Sequence, residues 1–163
     1  IDCPPSLGLL TVNALTAADA ILVPLQCEYY ALEGLSSLMR TIDLVRRSVN
    51  PKIRLHGILL TMYDRRNRLS AQVEEEARAH FPHNVYRTHI PRNVKLAESP
   101  SFGKPVVLYD ATCQGALAYD ALMAVKVFGT ETSVIFPPAM VTVACMSYSS
   151  APGRITTCAA APV

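Results

Sequence analysis

Four groups of residues set the chemistry open to this sequence. Asp2 ends an apolar start and is followed by Cys3-Pro4-Pro5. A carboxylate at a strand end can hold a water on Mg²⁺, or it can cap the helix that follows. Arg65, Arg66 and Arg68 crowd one polar loop, and Lys95 stands further on. A guanidinium is planar, always charged and matched to phosphate oxygens; the bland alternative is a solvated loop. Pro91-Arg92-Asn93 form a short polar turn, with Asn93 also able to cap a helix. Met62 closes one apolar run, and Glu28 lies in the loop after another. The five cysteines, Cys3, Cys27, Cys113, Cys145 and Cys158, include no C-x-x-C pair. Their odd count argues against a disulfide framework, and no metal-ligand spacing appears. Buried, reduced thiols are expected.

These groups need elements to position them. Ser6 is a candidate cap for a helix through Leu9, Leu10, Val12 and Leu15. Ala20 to Leu25 is a short apolar run suited to a strand buried on both faces. Leu35, Leu38, Met39, Ile42, Val45 and Val49 recur at three and four residues, an amphipathic helix that Asn50-Pro51 stops. His56 to Met62 reads as a second strand, and Ser70 as a cap for the next helix, which Phe81-Pro82 ends. Val85 to Pro91 reads as a third strand. Asp110 or Thr112 then caps a last helix from Gly115 to Phe128. Strands alternating with helices at this spacing predict an α/β fold, a mostly parallel sheet flanked by helices. In such sheets ligands sit beyond the carboxyl ends of the strands. The loops after Asp2, Leu25, Met62 and Pro91 are therefore expected on one edge.

Composition narrows the partners. Of 163 residues, 50% are apolar and 17% charged, with a net charge of +2, as in an ordinary globular domain. The charge is unevenly placed. Lys52 to Lys104 holds ten Lys/Arg against five Asp/Glu, a balance of +5, while the remainder is −3. One positive face is expected. Between residues 129 and 163 only Glu131 and Arg154 are charged and no period persists, so poor order is expected there. The apolar stretch from Val134 to Met146 is short and broken by Pro137-Pro138, which argues against a membrane span. The first residues do not have a signal-peptide pattern, and none is expected. Its start without Met reads as the end of a central strand, and further sequence is expected before it.

Several stretches together resemble one family. Ile1-Asp2-Cys3-Pro4-Pro5-Ser6-Leu7-Gly8 resembles the Walker B strand end of the ParA/Soj partitioning ATPases, of the deviant-Walker P-loop superfamily. Gln26 to Leu35 resembles the next segment along the same edge. Ile90 to Pro100 resembles the family's adenine-side loop, and Gly103-Lys104-Pro105 and Tyr109-Asp110 follow in the expected order. The resemblance covers residues 1–128, the C-terminal part of a ParA-type ATPase domain, and leaves 129–163 as an atypical tail. The family's Lys-Gly-Gly-x-Gly-Lys-Thr phosphate loop and its switch aspartate are absent. The fold is thus expected to be P-loop NTPase-like and N-terminally truncated. No residue of the chain is assigned a catalytic role, and the chain alone is expected to be inactive.

The resemblance implies a parent that binds ATP with Mg²⁺ as a sandwich dimer, binds DNA non-specifically, and hydrolyses ATP when a centromere-binding partition protein stimulates it. Asp2 would hold Mg²⁺ through water. Met62, Pro91, Arg92 and Asn93 would frame the nucleotide, with Thr61 near the base. Glu28 would lie where the two subunits meet. Arg66 and Lys95 occupy positions of family DNA-contacting residues, with Arg65 and Arg68 beside them. A cytoplasmic, nucleoid-associated place follows, on a chromosome or a plasmid. Two other readings compete with this one. A membrane-associated cell-division ATPase of the same superfamily would need a basic amphipathic C-terminal helix, and 129–163 holds one Arg and no Lys. A stand-alone, non-catalytic DNA-binding module would leave sheet edges unpaired.

Overall fold

Successive side chains of a strand point to opposite faces, so an apolar run such as Ala20 to Leu25 needs cover on both. The computed structural model, which describes residues 1, 8–124, 134–135, 146–148 and 155–157, supplies both covers. Strand β1 (Ala20–Gln26) follows helix α1 (Leu9–Ala17) and pairs in parallel with β2 (Arg54–Thr61). Ile21, Val23 and Leu25 of β1, with Ile58 and Leu60 of β2, pack into one core cluster. That cluster takes Leu15 from α1, Leu38, Ile42 and Val45 from α2 (Ala31–Ser48), and Val73 from α3 (Arg68–His80). Leu22 and Leu59 belong to a second cluster with Ile90 and Leu122, which also gathers Leu96 from α4 (Val94–Glu98) and Tyr119 from α6 (Gln114–Ala124). A 3₁₀ turn (Ser99–Phe102) and α5 (Val106–Tyr109) link α4 to α6. The expected α/β architecture, a parallel sheet flanked by helices, is the observed one.

Three details depart from expectation for local reasons. Asn67, not Ser70, caps α3, accepting from the Leu69 N–H at 3.0 Å. Ser70 is buried within the helix, and its hydroxyl meets the Asp64 N–H at 3.4 Å. Val49 falls one residue past α2 and is exposed, so the apolar stripe ends at Val45. Asn50 does more than stop the helix. Its amide donates to the Leu15 and Ala18 carbonyls at 3.0 and 2.7 Å, satisfying the open end of α1. At the last helix, Asp110 binds the N–H groups of Thr112 and Cys113 in the preceding turn. Ser6 lies outside the described residues.

Val85 to Pro91 is not a regular strand. It runs beside β2 through single parallel bridges, Ile58 with Val85 and Tyr63 with Pro91. Five steps from Ile58 to Tyr63 face six from Val85 to Pro91, so one residue is left over and the ladder breaks between the bridges. A second irregularity lies in β2 itself, where the register with β1 slips between Ile21 and Leu22 and His56 is the extra residue.

On the other edge, β3 (Val134–Ile135) pairs in parallel with Ala20 and Ile21, giving the order β2-β1-β3. β4 (Met146–Tyr148) and β5 (Ile155–Thr157) form a separate antiparallel pair. Most of 129–163 lies outside the described residues. Among those described, no helix is long and apolar enough to cross a membrane.

Candidate functional site

Parallel pairing brings the carboxyl ends of β1 and β2 to one edge. Gln26 faces Thr61, and the Cys27 N–H donates to the Thr61 carbonyl at 3.1 Å. The next residue of β2's chain, Met62, has φ 52°, the one non-glycine residue with positive φ among those described. A side chain there is uncommon and strained. Tyr63 returns to extended pairing. Its N–H donates to the Ile90 carbonyl and its carbonyl accepts from the Arg92 N–H, both at 3.1 Å.

A cleft of about 260 Å³ opens at this edge, walled by Cys27, Glu28, Met62, Asp64, Asn67, Leu69, Ser70 and Arg92. That is below the ~300–1,000 Å³ of sites that enclose a drug-sized ligand, so it suits one part of a ligand. Arg92 Nη2 lies 3.1 Å from Glu28 Oε1 across the mouth. Both side chains are about half exposed, at 58% and 48%, and such a pair contributes little and opens easily. Beside the cleft the Thr61 hydroxyl is buried with no partner among the described residues. The Cys27 thiol is pushed up to about 12, first by burial and then by the charge of Glu74. It keeps its proton at neutral pH and is no nucleophile.

A wider groove of about 780 Å³ adjoins the cleft and shares Asp64 and Arg92 with it. Arg65, Arg66, Arg87 and Arg92 all line it. Asp64 is the one carboxylate on that lining. Hydrogen bonds from the Arg66 side chain and backbone hold its carboxyl below the usual value. Arg66 itself is 91% exposed.

Glu74 joins the pieces. It accepts from the Tyr63 hydroxyl at 2.8 Å and from Arg78 Nε at 2.9 Å, and lies 3.1 Å from His89 Nε2. The Tyr63 and His89 rings stack at 4.4 Å. Arg78 goes on to the carbonyls of Val85 and Tyr86. Burial raises the Glu74 pKa, but the hydrogen bonds from Tyr63 and Arg78 and the charges of His89 and Arg78 outweigh it, so the carboxyl sits below its ordinary value. A depressed folded-state pKa gives stabilisation that is complete above the unfolded value of about 4.3. That stabilisation is lost as pH falls through the folded value. In urea unfolding, the wild type should therefore lose more stability between neutrality and about pH 3.5 than Glu74→Gln does; equal losses would remove Glu74 from the acid response.

The structure sorts the candidate residues. Glu28, Met62 and Arg92 meet at the cleft. Pro91 lines the wider groove, and Asn93 caps α4 through the Lys95 N–H at 2.8 Å. Arg65 and Arg66 share the groove with Arg87, which sequence reasoning left unassigned. Arg68 opens α3 and lines neither space. Lys95 also lines neither: it pairs with Glu98 at 3.0 Å and sits over the Tyr109 ring. Asp2 lies outside the described residues. Among those described, no three His, Cys, Asp or Glu side chains cluster to hold a metal.

Comparison with known proteins fixes the context. A family model described as an AAA domain matches residues 1–55. The chromosome partitioning protein ParA of Caulobacter vibrioides is 65% identical over 119 residues, 73% of this chain and 45% of that protein. The chain belongs to the ParA/Soj family. The chromosome-partitioning ATPase Soj of Thermus thermophilus is 55% identical over 122 residues, 75% of this chain and 49% of that protein. The chain thus spans less than half the length of these ParA/Soj relatives. Among solved structures, cobyrinic acid a,c-diamide synthase from Mycobacterium smegmatis matches 74% of this chain and 44% of its own, at 38% identity and a TM-score of 0.56. Structures of that enzyme hold ADP or an ATP analogue with magnesium.

Proposed function

We propose that this chain forms the base-facing and DNA-facing part of an ATP-dependent partitioning protein. The observation that carries the reading is the cleft at the carboxyl ends of the strands, where Glu28, Met62 and Arg92 meet beside the unpartnered Thr61 hydroxyl. The lining is mainly polar, with Glu28, Asp64, Asn67, Ser70 and Arg92 beside Cys27, Met62 and Leu69, so hydrogen bonds to the edge of a nucleotide base carry more of the fit than apolar contact does. Met62 packs against the base, and Thr61 supplies a hydrogen-bonding group nearby. Arg92 leaves Glu28 to meet the nucleotide, which frees Glu28 for a second subunit in an ATP-bound dimer. Asn93 holds α4 so that the Pro91–Arg92 turn keeps its place.

Mg²⁺, when bound, neutralises phosphate charge in such ATPases; Asp2 is the residue of this chain proposed to hold it through water. The phosphate loop of the resembled family has no counterpart in this sequence. Hydrolysis, stimulated by a centromere-binding partition protein, therefore needs the phosphate loop that relatives carry, and the chain alone is inactive. The guanidinium groups of Arg65, Arg66 and Arg87 take DNA phosphates without reading sequence. Lys95 joins only by exchanging Glu98 for a phosphate, and Arg68 adds an exposed charge at the start of α3. The protein acts on the nucleoid, in the cytoplasm.

The test joins the chain to the portion of Caulobacter vibrioides ParA outside the match and measures binding of a fluorescent ATP analogue with Mg²⁺. The chimera is expected to bind and the 163-residue chain alone is not. A folded chimera that fails to bind would end the nucleotide reading. Tight Mg²⁺-dependent binding by the chain alone would show a self-sufficient site and end the claim that a phosphate loop must be supplied.

A further inference from the structure

Met62 is held in a conformation that its own side chain disfavours, at the wall of the cleft. Strain of this kind persists only where the surroundings over-determine it. On the Thr61 side, the strand pairing and the Cys27 N–H fix the backbone. On the Tyr63 side, two backbone hydrogen bonds tie the chain to Ile90 and Arg92. The Tyr63 side chain is a further tether on the same stretch of backbone. The side chain is fixed by Glu74, whose carboxylate takes the phenol hydroxyl, and by the His89 ring stacked on its face. Glu74 is itself anchored by Arg78, which reaches the Val85 and Tyr86 carbonyls at the far end of the same segment. The carboxylate thus ties α3, the loop after β2 and the segment leading to Arg92.

We propose that Glu74 is a positioning residue that holds Met62 in its left-handed conformation and Arg92 at the cleft mouth, so that the site is formed before its ligand arrives. Glu74 touches no ligand; it acts through Tyr63 and His89. Its link to affinity rests on the nucleotide reading above, whereas its hold on Met62 does not. Charge-assisted hydrogen bonds are the strong ones, which is why a carboxylate suits this place and glutamine fills it poorly.

The one-bond coupling between the Met62 α carbon and its proton is lower at positive φ than at negative φ and so reports the left-handed conformation. It is measured with the Met62 methyl resonance in the 163-residue chain for wild type, Glu74→Gln and Tyr63→Phe. Both variants are expected to change the coupling and shift the methyl, with α2 resonances unmoved. A role in global stability alone would lower the melting point and leave the folded-state coupling unchanged. An unchanged coupling in folded Glu74→Gln overturns the proposal. If that variant does not fold, Tyr63→Phe decides, since it deletes the same hydrogen bond and keeps the ring. In the chimera, Glu74→Gln is expected to weaken binding of the ATP analogue about tenfold. Unchanged affinity with a displaced Met62 would overturn the positioning role. A wild-type chimera that binds no nucleotide would end the nucleotide reading, while the coupling would still decide whether Glu74 holds Met62.

Discussion

Replacing Arg65, Arg66 and Arg87 together by alanine in the ParA chimera is expected to lower its affinity for duplex DNA by roughly 10²–10³ at about 0.1 M salt. Each phosphate contact releases counterions, so each lost contact takes about 0.9 off the slope of log affinity against log salt. Three losses should make the slope shallower by about 2.7. The lower end is favoured, because Asp64 already offsets part of the Arg66 charge. All three side chains are exposed, so the fold is expected to survive. Arg92 stays in place because it also walls the cleft, which keeps nucleotide binding as an independent readout. Anisotropy of a labelled duplex over a salt series, with ATP present, measures both quantities. Arg40→Ala with Arg47→Ala on the exposed side of α2 removes like charge elsewhere as a control. If the triple variant binds no more weakly than that control, the groove is not the DNA surface.

Gly57→Val should destabilise the chain by about 3 kcal/mol, at the upper end for overpacking. For a chain of this size that lowers the melting temperature by very roughly 6–12 °C. A Cβ built on Gly57 runs into the Tyr86 ring. The ring has little room to retreat, because it packs on the cluster of Leu22, Leu59, Ile90 and Leu122. The Tyr86 N–H also donates to the Ile58 carbonyl at 2.9 Å. Burial raises the Tyr86 pKa, another sign of a ring out of water. Urea unfolding of Gly57→Val, Tyr86→Ala and the pair forms a double-mutant cycle. The valine should cost much less once the ring is gone. Equal costs in both backgrounds would show that the penalty arises elsewhere.

The sequence by itself determined the alternation of elements and therefore the fold class. Apolar runs such as Ala20 to Leu25 have no polar face, so they must be buried on both sides, and the helical stripe from Leu35 to Val45 supplies one cover. It also determined that the loops after these strands share an edge, because parallel strands align their carboxyl ends. Glu28, Met62 and Arg92 were legible as candidates for that reason, together with the family resemblance. Tertiary structure decided how the candidates are grouped. Asn93 caps α4 and Lys95 pairs with Glu98, local contacts two and three residues apart that the sequence allowed beside the site roles and the structure selects. Arg87 joined the basic groove because the irregular segment from Val85 to Pro91 places it there, and one unmatched residue in a ladder leaves no periodic trace. In the sequence Glu74 is one of three successive carboxylates, Glu74-Glu75-Glu76, with nothing local to single it out. Its partners Tyr63 and His89 stand eleven and fifteen residues away in the chain, and no local pattern encodes a meeting of side chains from three separate segments.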